Sequence, residues 1–273
     1  MDLERKFQEL RERREGAHMA HVYYGDPQEG FSMELIKTLA ENGADIIEFG
    51  IPFSDPIADG ATFQAACERA LKGGVTPARC IAGIRKLRAD GLNTPIVVTT
   101  YFNIPYVMGF ERFMGKVKEA GAQAVLIPDL PFEGAKQLTR LAEKARLHLI
   151  LQVAPTTSQD RLKKILKDAS GFIYLIGVEG VTGTRVKSQN STLKLIYTVK
   201  KEALVPVMVG FGISKKEHAE AMVSAGADGV AVGSAYARIY SKNLKNPFQK
   251  LPEIAKLANE IKLGCINGYR KRF

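Results

Sequence analysis

The chain has 273 residues, 45% of them apolar and 25% charged, a composition that excludes a disordered chain and leaves ample length for a large core. No apolar run reaches the roughly 18–20 residues of a membrane span, so a soluble protein with no membrane partner is expected. Thirty-nine Lys and Arg against 29 Asp and Glu give a net charge of +10, a balance that raises the question of an anionic partner, but no nucleic-acid-binding motif accompanies it.

The first sixteen residues, MDLERKFQELRERREG, are charged throughout and lack the apolar stretch of a secretory signal. Phe7 and Leu10 form a narrow apolar stripe, which predicts a surface helix docked on the body. Three cysteines, Cys67, Cys80 and Cys265, are an odd number with no CxxC pair, a pattern that fits a reduced, cytoplasmic setting. The four histidines, at 18, 21, 148 and 218, are scattered, so no metal site is expected. His18 and His21 are three apart in a strand-like run and would point to opposite faces.

Short, continuous, β-branched apolar runs then recur down the chain: AHVYYG at 20–25, DIIEFG at 45–50, PIVVTT at 95–100, AVLIPD at 124–129, LILQVA at 149–154, FIYLIG at 172–177, VPVMVG at 205–210 and GVAVGS at 229–234. Segments with helical periodicity lie between them, among them SMELIKTLAENG, GAKQLTRLAEKA, SQDRLKKILKDA and KKEHAEAMVSAG. Continuous rather than alternating runs mark strands buried on both faces, as in a parallel sheet. Eight such units without a Pro/Gly/Ser linker predict a single (β/α)8 TIM-barrel domain over residues 1–273, with an extra N-terminal helix. In such barrels the chemistry sits at the C-terminal ends of the strands, so polar and glycine residues there are the candidates.

After the second run, Glu48 is embedded among Ile46, Ile47 and Phe49. Burial there raises a carboxyl's pKa towards neutrality, which suits a general acid–base; a Glu paired with a basic side chain from another strand is the alternative. Asp55 and Asp59 follow in the Pro-bounded loop 52–60, where turn chemistry is the simpler explanation of each taken singly. Further on, Gly180 and Gly183 bracket Val181 and Thr182, strand seven ends in Gly210-Phe211-Gly212, and strand eight ends in Gly233-Ser234. Three glycine-bearing loops at adjacent strand ends predict a phosphate cradle of backbone N–H groups. Ser214 with Glu217 reads as a capping box that starts a helix. None of the eight runs contains a lysine, which disfavours Schiff-base chemistry. A metal-free acid–base site acting on a phosphorylated compound is expected.

The motif EFGIPFSDPIADG at 48–60 resembles the signature of the tryptophan synthase α subunit. The resemblance extends over nearly the whole chain, through GDP at 25–27, TTYFN at 99–103, PDLPFE at 128–133, APTT at 154–157, GVTGTR at 180–185, GFGIS at 210–214 and VGSA at 232–235. It implies retro-aldol cleavage of indole-3-glycerol phosphate to indole and glyceraldehyde 3-phosphate. It further implies Glu48 as the acid–base at the ring carbon, Asp59 as the acid that holds the indole N–H, and Tyr174 beside the glutamate. Gly183, Phe211, Gly212, Gly233 and Ser234 match the phosphate cradle. His21, Tyr23, Thr99 and Thr182 fall near the indole pocket, and His21, Tyr23, Thr99 and Gln152 put polar groups where the family often has small or apolar ones. Segments 52–60 and 177–190 resemble the family's two mobile loops. The implied partner is a β subunit, in an α2β2 heterotetramer; pyridoxal phosphate in this family belongs to that subunit, so no cofactor is expected on this chain. A stand-alone lyase, a relative acting on another phosphorylated compound, and a non-catalytic phosphate-binding subunit are the alternatives.

The positive charge is local. Residues 240–273 carry eight Lys and Arg against two acids, and residues 185–202 carry five against one. The remainder is neutral.

Overall fold

The structure, a computed structural model, describes residues 2–177, 185–210 and 212–272, with residues 185–190 as backbone only. Eight parallel strands close into a barrel in chain order: β1 Ala17–Tyr23, β2 Ile46–Gly50, β3 Ile96–Thr99, β4 Ala124–Leu126, β5 His148–Val153, β6 Ile173–Ile176, β7 Val207–Gly210 and β8 Gly229–Val232. The helices are α1 Leu3–Glu12, α2 Glu29–Glu41, α3 Ala61–Lys72, α4 Pro77–Ala89, α5 Asn103–Met108, α6 Phe110–Glu119, α7 Phe132–Lys144, α8 Gln159–Lys167, α9 Arg185–Glu202, α10 Lys216–Ser224, α11 Ser234–Tyr240 and α12 Leu251–Arg270. The eight-unit reading of the sequence is therefore the observed architecture, with strand ends displaced by a few residues; β1 begins at Ala17, three residues before the run that announced it.

Two apolar layers hold the barrel. The larger lies between the strands' outer faces and the helices, and includes Val22, Ile47, Phe49, Val98, Val125, Leu149, Leu175 and Val209. The smaller fills the barrel's interior: Met19, Ile46, Val97, Leu126, Ile150, Phe172 and Met208 meet Leu3, Phe7 and Leu10 of α1. The stripe seen in the sequence thus plugs the N-terminal end of the barrel, where Phe7 packs on Phe172 with ring centroids 6.0 Å apart. Burying three large side chains there stabilises the closure by several kcal/mol, at about 1.5–3 kcal/mol each.

Strand alternation then decides what fills the other end. On β1 the residue two beyond Met19 is His21, on β2 Glu48 follows Ile46, on β3 Thr99 follows Val97, on β5 Gln152 follows Ile150, and on β6 Tyr174 follows Phe172. The interior changes from apolar to polar in one side-chain layer, towards the strands' C-terminal ends. His18, on the opposite face of β1 from His21, is fully buried, with Nδ1 3.1 Å from the Gly43 carbonyl and Nε2 2.8 Å from the Tyr236 hydroxyl.

One local expectation fails. Helix α10 starts at Lys216 with Lys215 as its N-cap, and no side chain caps it. Ser214 instead directs its backbone N–H to His218 Nδ1 at 3.4 Å, so the Ser214–Glu217 capping box does not form.

The basic C-terminal segment is also less free than its composition suggested. Lys262 lies 2.9 Å from both Glu15 and Asp45, Lys271 is 2.5 Å from Glu220, and Arg272 is 3.8 Å from Asp228. Much of the tail's charge is therefore used to fasten α12 to the barrel.

Candidate active site

A cavity of about 380 Å³ opens at the C-terminal end of the barrel, within the size range of small-molecule sites. Glu48, Asp59, Tyr174, His21, Tyr23, Thr99, Gly212, Gly233 and Ser234 all line it. Thr182, Gly183 and Phe211 lie outside the described residues.

Glu48 forms part of the cavity's floor. Its carboxyl is almost fully buried, at 2% exposure, and one oxygen, Oε1, accepts the Thr99 hydroxyl at 2.7 Å. The other, Oε2, finds no partner among the described residues. Burial pushes the carboxyl up to about 7, with the Thr99 bond opposing the rise. A carboxyl poised near neutrality can both give and take a proton. The alternative raised by the sequence, a Glu neutralised by a strand Lys or Arg, is not what the cavity holds: the side chain beside Oε1 is the His21 imidazole, whose Nδ1 is 3.4 Å away. Burial holds that imidazole in its neutral form, down to about 4, against the pull of the Asp59 charge.

Asp59 comes from the segment after β2 and is held by two phenols. Tyr23 donates to Oδ2 at 2.5 Å and Tyr101 donates to the same oxygen at 2.7 Å. Tyr101 also accepts the Ala58 N–H at 3.2 Å and stacks on Phe53 at 5.4 Å, so it fixes the segment as well as the carboxylate. Burial and the Asp59 charge both push the Tyr23 hydroxyl up, which keeps it a donor. With Oδ2 occupied, the other oxygen is left to meet a donor in the cavity.

Tyr174 stands on β6, where burial and then the Glu48 and Asp59 charges raise its hydroxyl's pKa well above the usual value. Its position depends on Gly210: a Cβ at that residue would fall 2.0 Å from the Tyr174 hydroxyl oxygen. Gly233 has a similar duty at the end of the neighbouring strand β8, since a Cβ there would meet Phe63 at 2.4 Å and His21 at 2.9 Å. Ser234 accepts from Arg238 Nη1 at 3.2 Å, which brings a cation to the same rim.

Several residues of the site carried no assigned role in the sequence. Arg238 is one helical turn beyond Ser234 on α11, and that i, i+4 spacing was a usable signal. Tyr101 sat inside the TTYFN motif without a role, because its bond to Asp59 joins residues 42 apart in sequence. Phe63, whose ring centroid is 4.6 Å from that of His21, carried no signal that separates it from a core residue. Among the described residues, no cluster of three or more His, Cys, Asp or Glu is placed to hold a metal ion.

The barrel and this cavity define an α/β-barrel enzyme with carboxyl groups at the C-terminal mouth and a glycine-lined rim beside them. The family model of the tryptophan synthase alpha chain matches residues 7–265. Similar curated relatives are the tryptophan synthase alpha chains of Methanocaldococcus jannaschii, 46% identical over 89% of this chain and 86% of the relative, and of Methanothermobacter thermautotrophicus, 44% identical over 90% and 91%. Among solved structures, tryptophan synthase subunit alpha from Legionella pneumophila superposes with a TM-score of 0.88 at 29% identity, covering 98% of this chain and 99% of that one. A tryptophan synthase chain from M. tuberculosis does so with a TM-score of 0.84 at 30% identity, covering 96% and 98%. The chain belongs to the tryptophan synthase alpha chain family. It is a lyase of tryptophan biosynthesis, cleaving indole-3-glycerol phosphate, and its family implies a β-subunit partner and a phosphorylated substrate.

Proposed function

We propose that Glu48 and Asp59 carry the cleavage of indole-3-glycerol phosphate, with Tyr174 beside them and Gly183, Phe211, Gly212, Gly233 and Ser234 receiving the phosphate. The observation that carries this reading is the state of Glu48: a buried carboxyl on the cavity floor, raised to about 7, with one oxygen held and the other without a partner among the described residues. Asp59 complements it as a carboxylate fixed by two phenols before any substrate arrives.

The chemistry follows from those two groups. Protonated Glu48 gives its proton to the indole ring carbon that bears the side chain, and the ring becomes cationic. Asp59 accepts the ring N–H and offsets that charge. The Glu48 carboxylate then takes the proton of the adjacent side-chain hydroxyl, the carbon–carbon bond breaks, and its electron pair restores the aromatic ring. Indole and an aldehyde leave, and Glu48 has recovered its proton. His21, Tyr23, Thr99 and Thr182 would surround the ring. Arg238, at the Ser234 rim, adds a positive charge where the phosphate of such a substrate would sit.

An α2β2 heterotetramer in the cytoplasm is the assembly and setting we assign, with residues 1–273 acting as one barrel domain. The partner has a suitable landing zone: Ile57, Tyr106 and Val107 are 79%, 63% and 74% exposed, Ile57 next to the cavity-lining Ala58 and the other two on α5, which follows β3 at the same end of the barrel. Large exposed apolar side chains grouped near a site mark an interaction surface. Among the described residues, no helix is long and apolar enough to cross a membrane.

The test is a pair of variants. Glu48→Gln is expected to abolish indole formation while glyceraldehyde 3-phosphate still binds, and Asp59→Asn to cut turnover by at least about 100-fold. Turnover persisting in Glu48→Gln would remove the acid–base role.

A further inference from the structure

Two histidines on the same strand are buried in opposite directions, and they differ in one respect. His18, facing the helices, has both ring nitrogens engaged, by Gly43 and Tyr236. His21, facing the cavity, has Nδ1 3.4 Å from Glu48 Oε1, while Nε2 is buried without a partner among the described residues. A histidine kept only for packing would be expected to satisfy both nitrogens, as His18 does, because a buried polar atom left unpaired is costly.

The surroundings fix the His21 ring in place. It packs against Tyr23 and Phe63 with centroids 4.9 and 4.6 Å away, and Gly233 leaves room for its Cβ. The β1–β2 register sets His21 directly beside Glu48. Glu48 Oε1 therefore has the Thr99 hydroxyl at 2.7 Å on one side and the imidazole on the other, whereas Oε2 has no partner among the described residues.

We propose that His21 is a positioning residue for the Glu48 proton: its Nδ1–H, together with the Thr99 hydroxyl, holds Oε1 as the acceptor oxygen, so that the exchangeable proton resides on Oε2. This rests on the acid–base reading of Glu48 given above. When Oε2 gives up its proton, the same two donors stabilise the carboxylate that remains. The other groups facing Glu48 do not compete for this role. Tyr174 and Tyr23 are kept protonated by burial and neighbouring negative charge, Gln152 donates to the Ile127 carbonyl, and Asp59 is occupied by Tyr23 and Tyr101. Arg238 lies at the rim, bonded to Ser234.

His21→Phe keeps a ring between Tyr23 and Phe63 but removes the donor. The alkaline limb of kcat for indole release, set by loss of the Glu48 proton, is expected to move up by roughly half to one pH unit, a threefold to tenfold change in proton affinity. His21→Asn, whose amide N–H reaches the place of Nδ1, is expected to keep the wild-type limb. A titration of the 13C-labelled Glu48 carboxyl by NMR, assigned with Glu48→Gln, should show the same shift in the absence of substrate. Should His21→Phe fail to fold, His21→Gln, whose amide extends towards Nε2 rather than Nδ1, is expected to shift the titration likewise. An unmoved carboxyl titration in His21→Phe and His21→Gln, or a changed KM with an unmoved limb in them, would overturn the proposal and leave His21 as packing. Turnover surviving in Glu48→Gln would instead strike the acid–base reading, whatever the carboxyl titration shows.

Discussion

The paired phenols on Asp59 allow a quantitative test of preorganisation. In Tyr23→Phe the ring remains against His21 and Phe63, and only the hydroxyl that donates to Oδ2 at 2.5 Å is lost. A hydrogen bond to a charged group contributes about 1.5–3 kcal/mol net. Because Tyr101 still donates to the same oxygen at 2.7 Å, the lower figure applies, and ~1.5 kcal/mol is roughly a tenfold loss in kcat/KM. Tyr101→Phe should cost more, since that hydroxyl also receives the Ala58 N–H and so anchors the segment that bears Asp59. The double variant removes the last holder and is expected to lose more than the two single losses combined. Steady-state turnover of indole-3-glycerol phosphate, with the urea unfolding midpoint measured alongside, separates orientation from stability. Tyr23→Phe turning over within twofold of wild type, while Asp59→Asn is inactive, would refute the claim that the phenols set the carboxylate's geometry.

Other outcomes follow from buried groups. Glu48 has a folded pKa of about 7 against a usual 4.5, so its contribution to stability is present below pH 4.5 and lost as pH rises to about 7. Above that pH, Glu48→Gln should be more stable than wild type by up to about 3 kcal/mol, seen as a raised denaturant midpoint; an unchanged midpoint at pH 8 would contradict the shift. His18 runs the other way, depressed by burial from 6.5 to about 3. Its contribution is intact above pH 6.5 and falls away towards pH 3, by as much as about 5 kcal/mol. His18→Gln should therefore flatten acid unfolding over that range, and an acid midpoint identical to wild type would argue against it. Asp26 is fully buried and accepts two bonds from Arg69, at 2.6 and 2.8 Å, and one from Tyr240 at 2.5 Å. Asp26→Asn should lower the unfolding free energy by about 3 kcal/mol, measured by urea titration, because it leaves Arg69 without its counter-charge.

The fold was legible because each strand of a closed parallel barrel is buried on both faces, which writes itself into the chain as eight continuous apolar runs. Glu48 was legible for the same reason: a carboxylate inside such a run is conspicuous. Its neighbours were not, since the pairing of His21 with Glu48 depends on strand register, and the Tyr101 contact with Asp59 joins different βα segments. The sign of the His18–His21 arrangement followed from strand periodicity alone, whereas which of the two meets solvent-facing chemistry required the closed barrel. The Ser214–Glu217 spacing misled because a single residue of loop separates a capping box from an uncapped start at Lys216. The role of the basic tail was not legible for a similar reason: composition counts charges, but only the docked α12 shows Lys262 lying against Glu15 and Asp45.

The most direct measurement is release of indole from indole-3-glycerol phosphate by the purified chain, with and without a β subunit, for wild type and for Glu48→Gln. Indole and glyceraldehyde 3-phosphate should appear in equal amounts with the wild-type chain, faster when the β subunit is present, and neither should appear with Glu48→Gln. Failure of the wild-type chain to release indole in the presence of the β subunit, or its release at wild-type rate by Glu48→Gln, would contradict the account.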